Sequence, residues 1–370
     1  MRLYQIETGL NAECGLRNAE CKRFRIGNIP QSAIRIPHWN HSAFTLTELL
    51  VVITIIAILA SLITVAAVNA LRKAKQARIT LEIQQISTAL ENFKNDFGAY
   101  PPNVYPMTGF SKNEQLASAR DLQRFMKKAF SRSTELQIVL TGNGAPKQNT
   151  SNNGANDNLY PIVEAGLTPA EALVFWLQGF SQDVRRPLSG TDLVNPTNAN
   201  APVTFDVRKP LFEFEQGRLR LTGKTLTLHR AAGNVNFTVP LYAYYPPGSE
   251  QPYTYFDVSR RTPSQVAQTF PSGEFFFSPT ANDLVVALKK TKASATQNPT
   301  NVLDNYEYVE QGKFQLLHCG LDDIWGQFAL TKQLVLNQAP PLLFPDGPFI
   351  GDIGDTLTSF TTGTLEDAQQ

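Results

Sequence analysis

The chain has 370 residues, of which 33 are Lys or Arg and 32 are Asp or Glu, for a formal net charge of +1. This balance gives no broad electrostatic case for nucleic-acid binding. Of the three cysteines, Cys14 and Cys21 precede the first apolar run and Cys319 stands alone after it, so loss of the N-terminal segment leaves one thiol and no internal disulfide.

Residues 1–43 carry Arg2, Arg17, Lys22, Arg23, Arg25 and Arg35 against Glu7, Glu13 and Glu20. The excess of cations expects the N-terminus in the cytoplasm and the long C-terminal part exported. Arg72, Lys73, Lys75 and Arg78 on the other flank oppose that assignment. Between the flanks, Phe44–Val68 contains one charge, Glu48. A bilayer core of roughly 30 Å takes about 20 apolar helical residues, and this run is long enough. It is too long for the core of a secretory signal, about 7–15 residues, and it has no polar face for lying on a membrane surface. A carboxylate at the centre of such a segment costs about 2.5–3.5 kcal/mol, which marks Glu48 as a functional candidate. On its own it could equally snorkel to the interface, four residues into the run.

The stretch Ala43-Phe44-Thr45-Leu46-Thr47-Glu48-Leu49-Leu50-Val51-Val52-Ile53 closely resembles the class III signal of type IV pilins and type II secretion pseudopilins. The resemblance implies that a membrane prepilin peptidase removes a leader of residues 1–43. It would cut between Ala43 and Phe44 and methylate the new amine. It also implies that Glu48 pairs with the Phe44 amine of a neighbouring subunit and so sets assembly geometry. Ala43 stands where the family usually has Gly, and no proline interrupts Phe44–Ala99, where many relatives carry one.

Ile79, Ile83, Ile86, Leu90, Phe93 and Phe97 then recur at spacings of four and three, which predicts a continuing helix with one apolar stripe. Lys75, Arg78, Glu82, Glu91 and Lys94 are expected on the other face. Gly98 and Pro101-Pro102 end the helix. Phe97-Gly98-Ala99-Tyr100-Pro101 resembles the helix-ending stretch of the major, G-type pseudopilins. The remainder reads as α+β. Glu114–Lys128 is a short helix, and 142–158 is an Asn/Gly-rich loop. Thr168-Pro169-Ala170-Glu171 is a capping box opening a helix to Leu177, and Glu171-Ala172-Leu173-Val174 resembles a segment of the same pseudopilin class. Arg218–Thr222 and Thr225–His229 are expected to form a hairpin turning at Gly223-Lys224. Further strands are expected at Tyr253–Val258, Glu274–Ser278, Leu284–Leu288 and Phe314–His318.

Phe314–Asp322 followed by Trp325-Gly326 resembles the C-terminal strand and loop of the G-type class, which implies Ca²⁺ held there. Asp323, Asp352 and Asp355 are the candidate ligands, because hard cations take loop oxygens; Asp-rich turns are also ordinary turns. His318 and Cys319 are expected to point to opposite strand faces and not to share an ion. No nucleophile elbow, phosphate-cradling loop or H-E-x-x-H supports an enzyme.

The expected organisation is a leader (1–43), the transmembrane half of a long helix (44–68), its amphipathic half (69–98), a globular α+β pilin-like domain on an antiparallel sheet with large insertions (99–360), and a tail (361–370). The resemblance implies a filament subunit in the inner membrane, most simply serving type II-like secretion. Its partners would be prepilin peptidase, other pilin subunits, the assembly platform and the bilayer. The competing reading is an anchored adhesion or display module that does not polymerise.

Overall fold

The computed structural model describes residues 45–106, 112–141, 146–147, 158–190, 209–230, 235–260, 276–279, 283–295, 305–326, 328 and 342–369. The chain divides into two compact units, Met1–Leu62 and Ile63–Gln370. Helix α1, Leu46–Phe97, runs for 52 residues without Gly or Pro, about 80 Å at 1.5 Å per residue. Within the first unit, every described residue, 45–62, is exposed. In the second unit, exposure persists to Lys75, and burial with helical periodicity begins at Ile79.

Ile79, Ile83, Ile86, Ala89, Leu90 and Phe93 are the buried residues of α1, as the stripe predicts, and Phe97 is half-buried. Full burial of one such side chain is worth about 1.5–3 kcal/mol. The helix ends where Gly98 takes φ +75°, a left-handed conformation that glycine adopts without steric cost. The Gly98 N–H donates to the Lys94 carbonyl at 2.7 Å, and Lys128 Nζ donates to the Gly98 carbonyl at 2.9 Å.

Helix α2, Lys112–Ala129, brackets the expected Glu114–Lys128 segment. Its Phe125 stacks on Phe93 at 5.9 Å, while Phe97 meets Phe180 edge-on at 5.1 Å. The two-stranded pair β1, Val139–Leu140, and β2, Pro146–Lys147, follows, then the short helix α3, Tyr160–Ala165. Helix α4, Pro169–Leu177, is buried at all nine positions and opens with the expected capping box. Glu171 N–H donates to Thr168 Oγ1 at 3.4 Å, and Thr168 N–H donates to Glu171 Oε2 at 3.0 Å.

The predicted hairpin at Gly223 is not formed. Leu219–Arg230 is one strand, β3, and pairs antiparallel with β4, Val235–Tyr244. The register shifts between Leu221 and Thr225, where Leu221 faces Tyr242 and Thr225 faces Pro240. Pro240 has no N–H to give the ladder, and Gly223 at φ +82° lets the chain bulge there. The bulge leaves Leu226 and Leu228 fully buried and Leu221 65% exposed, while Leu219 packs half-buried against the core.

Strand β5, Thr254–Asp257, is followed by β6, Phe276–Phe277, and β7, Val285–Val286, which pair with each other. Then come β8, Lys289–Thr291, and β9, Tyr306–Tyr308, a second such pair. Strand β10, Phe314–His318, sits between β5 and β11, Leu357–Thr358, in an antiparallel three-stranded sheet. Among the described residues the α+β class therefore holds, with several small antiparallel sheets in place of one. The segment expected as a tail folds back: Leu365 is fully buried, and Gln369 Oε1 accepts from the Phe349 N–H at 2.9 Å. Most of 142–158, and Glu274 and Phe275, lie outside the described residues.

Truncation of Phe93, which is fully buried among aromatic rings, is expected to cost about 3–5 kcal/mol as Phe93→Ala. Leu81, 55% exposed on the same helix, should change by less than about 0.5 kcal/mol as Leu81→Ala. Denaturant unfolding of the detergent-solubilised protein measures both.

Candidate functional site

Helix α1 begins with a reciprocal cap. Thr45 N–H donates to Glu48 Oε2 at 2.9 Å, its hydroxyl donates to the same oxygen at 2.8 Å, and Glu48 N–H donates to Thr45 Oγ1 at 3.2 Å. This is the Ser/Thr-x-x-Glu box, with Thr45 at the N-cap and Glu48 at the third helical position. It satisfies N–H groups that would otherwise face hydrocarbon and sets a carboxylate at the positive end of the helix dipole. The spacing was legible in Thr45-Leu46-Thr47-Glu48, as it was in Thr168–Glu171. Ala43 and Phe44 lie outside the described residues.

Farther along α1, Glu82 is the convergence point of a polar cluster. Arg218 Nη1 donates to Glu82 Oε2 at 2.8 Å, and Arg218 Nη2 donates to Oε1. Tyr244 hydroxyl donates to Oε1 at 2.9 Å and Tyr253 hydroxyl to Oε2 at 2.6 Å. The Arg218 guanidinium also lies 4.5 Å from the Tyr244 ring centroid and pairs with Glu215 at 2.9 Å. Burial works to raise the Glu82 pKa, but the hydrogen bonds from Arg218, Tyr253 and Tyr244 and the Arg218 charge outweigh it and hold the carboxyl below its ordinary value. The same burial and the Glu82 charge push Tyr244 and Tyr253 well up. Glu82 was expected on the solvent face. Its side chain is 12% exposed, because it lies three residues after Ile79 and four before Ile86, on the flank of the buried stripe.

The C-terminal carboxylates arrange differently from expectation. Asp323, at φ +58°, accepts from Ser249 Oγ and from the Glu250 N–H at 3.1 Å. Asp352 lies in the 3-10 turn Gly351–Ile353, and Asp355 follows it. Burial, then the charges of Asp355 and Asp352, raise the pKa of Asp322. Among the described residues Asp323, Asp352 and Asp355 form no cluster of ligand atoms. A calcium ion takes 6–8 oxygens at about 2.3–2.6 Å, backbone carbonyls included, so these three side chains would be only part of such a site.

His318, Cys319 and Asp323 do place one ligand atom each within 4.8 Å of the others. Cys319 follows the last residue of β10, so strand alternation does not separate it from His318. The histidine is already engaged: Nδ1 accepts from the Gly320 N–H at 3.1 Å, and Nε2 meets the Gln251 carbonyl at 3.2 Å and Ser249 Oγ at 3.1 Å. That pattern assigns the proton to Nε2. Burial lowers the His318 pKa to about 4, and burial pushes the Cys319 thiol up. His318 thus takes part in a packed polar network with Ser249, Gln251 and Gly320.

Residues 40–64 match the family model of the prokaryotic N-terminal methylation motif. No curated protein and no solved structure matches the chain. The family match covers the N-terminal segment, and together with the long apolar helix it fits a class III prepilin signal of the type IV pilin-like kind. The N-terminal segment thus carries a motif of the kind that prepilin peptidase processes, and α1 is long and apolar enough to cross a membrane once.

Because Glu82 titrates below its ordinary 4.5 in the folded state, its ionised form stabilises the fold at pH values above 4.5, and this contribution is lost as pH falls through the folded-state pKa. Glu82→Gln is expected to cost about 1–3 kcal/mol at neutral pH. The gap between the two proteins should narrow below pH 4.5 in unfolding curves recorded across the acid range; a gap independent of pH would remove the charge from the account.

Proposed function

We propose that the protein is a structural subunit of a pilus or pseudopilus, assembled through α1 and serving type II-like protein secretion. The observation that carries this reading is the match at residues 40–64 on a helix whose first half exposes apolar side chains on all sides and one carboxylate at its start. Prepilin peptidase removes residues 1–43, leaving Phe44 as a methylated N-terminus. The protein then waits in the inner membrane as a single-pass anchor with its C-terminal part exported. The assembly platform moves it into a filament of its own copies or of related subunits, where neighbouring helices replace lipid.

Glu48 supplies the register in this reading. A carboxylate surrounded by hydrocarbon is favourable only with a hydrogen-bonded counter-charge. The Phe44 amine of an adjacent subunit is such a charge, and it is met at one stagger only. Other staggers would leave both charges unpaired. The role of the protein is mechanical, with no chemistry assigned to it.

A specific observation favours a second reading, the non-polymerising display anchor. The Thr45–Glu48 cap gives Glu48 local work that any membrane anchor needs. Gln serves in a capping box as Glu does, but it carries no charge. Glu48→Gln is therefore expected to be processed and retained in the membrane yet to yield no filaments, judged by electron microscopy of sheared cells and by secretion. Normal assembly of Glu48→Gln, with loss only in Glu48→Ala, would assign Glu48 to the cap. Mass spectrometry of the membrane-extracted protein should find methylated Phe44 at the N-terminus; an intact leader would sink the prepilin reading.

A further inference from the structure

Helix α1 carries Arg72, Lys73, Lys75 and Arg78 directly after the apolar run, and all four are exposed. No Asp or Glu occurs between Leu49 and Leu81. Among the described residues, none of the four pairs with a carboxylate. At about 100° of rotation per residue they point in four directions and form a ring around the helix. Arg72 lies about 6 Å and Arg78 about 15 Å beyond Val68 along the axis. Long basic side chains reach back toward the apolar segment while keeping their charge in a polar layer, and the headgroup layer begins where the hydrocarbon ends.

These observations fit one partner better than others. A protein partner docking from one side would meet a stripe, and a solvated helix face would mix signs. A lipid leaflet surrounds the helix on every side, as the ring does. In the proposed orientation, which the cations of residues 1–43 set, these four lie on the exported flank, where the positive-inside rule gives them no topological purpose. We propose that Arg72, Lys73, Lys75 and Arg78 bind the phosphates of anionic phospholipids in the leaflet at the exported end of the span. This rests on the reading of the first half of α1 as a membrane span. The contact holds the subunit at one depth in the bilayer until assembly draws it out.

The test uses the full chain, purified from membranes in mild detergent and titrated with phosphatidylglycerol or phosphatidylcholine, with bound lipid counted by native mass spectrometry. The expected result is preferential binding of phosphatidylglycerol. It should fall at least about tenfold in the variant R72Q/K73Q/K75Q/R78Q, since each basic group near an anionic surface is worth about 1 kcal/mol. The variant R72K/K73R/K75R/R78K, which keeps the charge, should retain it. Glutamine is a good helix former, so α1 is preserved. Equal binding of the two lipids by the unaltered protein would overturn the proposal, as would a preference unchanged in the glutamine variant. Alkaline carbonate extraction separates the two failures: release of the protein from membranes removes the span itself, whereas a retained protein without lipid preference removes only the ring.

Discussion

Glu82 gathers one guanidinium and two phenols from three separate places in the chain, at the start of β3, the end of β4 and just before β5. The apolar stripe of α1 cannot by itself fix where the helix sits on these strands. Isoleucine and leucine repeat at three- and four-residue intervals, so a shift by one turn would still bury apolar area. A carboxylate with two oxygens and four directed donors has no such freedom. Displacing α1 by one turn would take from Arg218, Tyr244 and Tyr253 their shared carboxylate, and a buried pair that loses one partner costs about 3–5 kcal/mol. The cluster therefore acts on register more than on raw stability.

The two Thr-x-x-Glu boxes show how environment divides one piece of chemistry into two roles. In α4, Glu171 is 2% exposed and meets Lys224 Nζ at 3.1 Å, so cap, charge and counter-charge are complete inside the fold. In α1, Glu48 has the cap from Thr45, and the first cation of the helix is Arg72, 24 residues on. In hydrocarbon the cap satisfies the backbone but leaves a net charge. Among the described residues, what distinguishes the two boxes is the cation that meets Glu171 and has no counterpart at Glu48.

Much of the architecture was legible because periodicity reports burial. The α1 stripe, the α4 cap and the strand Phe314–His318 follow from spacing alone. The hairpin at Gly223 was misread because Gly-Lys between leucine pairs reads the same in a turn and in a bulge. The distinguishing fact is Pro240 on the partner strand, twenty residues downstream of Arg220 in the sequence. Glu82 was misplaced because a charged residue on the edge of an apolar stripe reads as solvated until its donors, more than a hundred residues away, are known.

The exposed half of α1 also limits how subunits can recognise each other. Lipid tails are as apolar as leucine, so side chains such as Ile53, Ile56 and Leu59 gain little hydrophobic free energy by exchanging lipid for another helix. Association in that setting depends on close packing and on polar contacts. Ala57 and Ser61, and Ala60, Thr64 and Ala67, place small side chains at four- and three-residue intervals, where backbones can approach. Packing of this kind tolerates several staggers, because small residues recur along the whole run. A single charge at one end does not. On the proposed filament reading, selection of one stagger would fall to Glu48, and the apolar remainder of the helix would supply contact without direction.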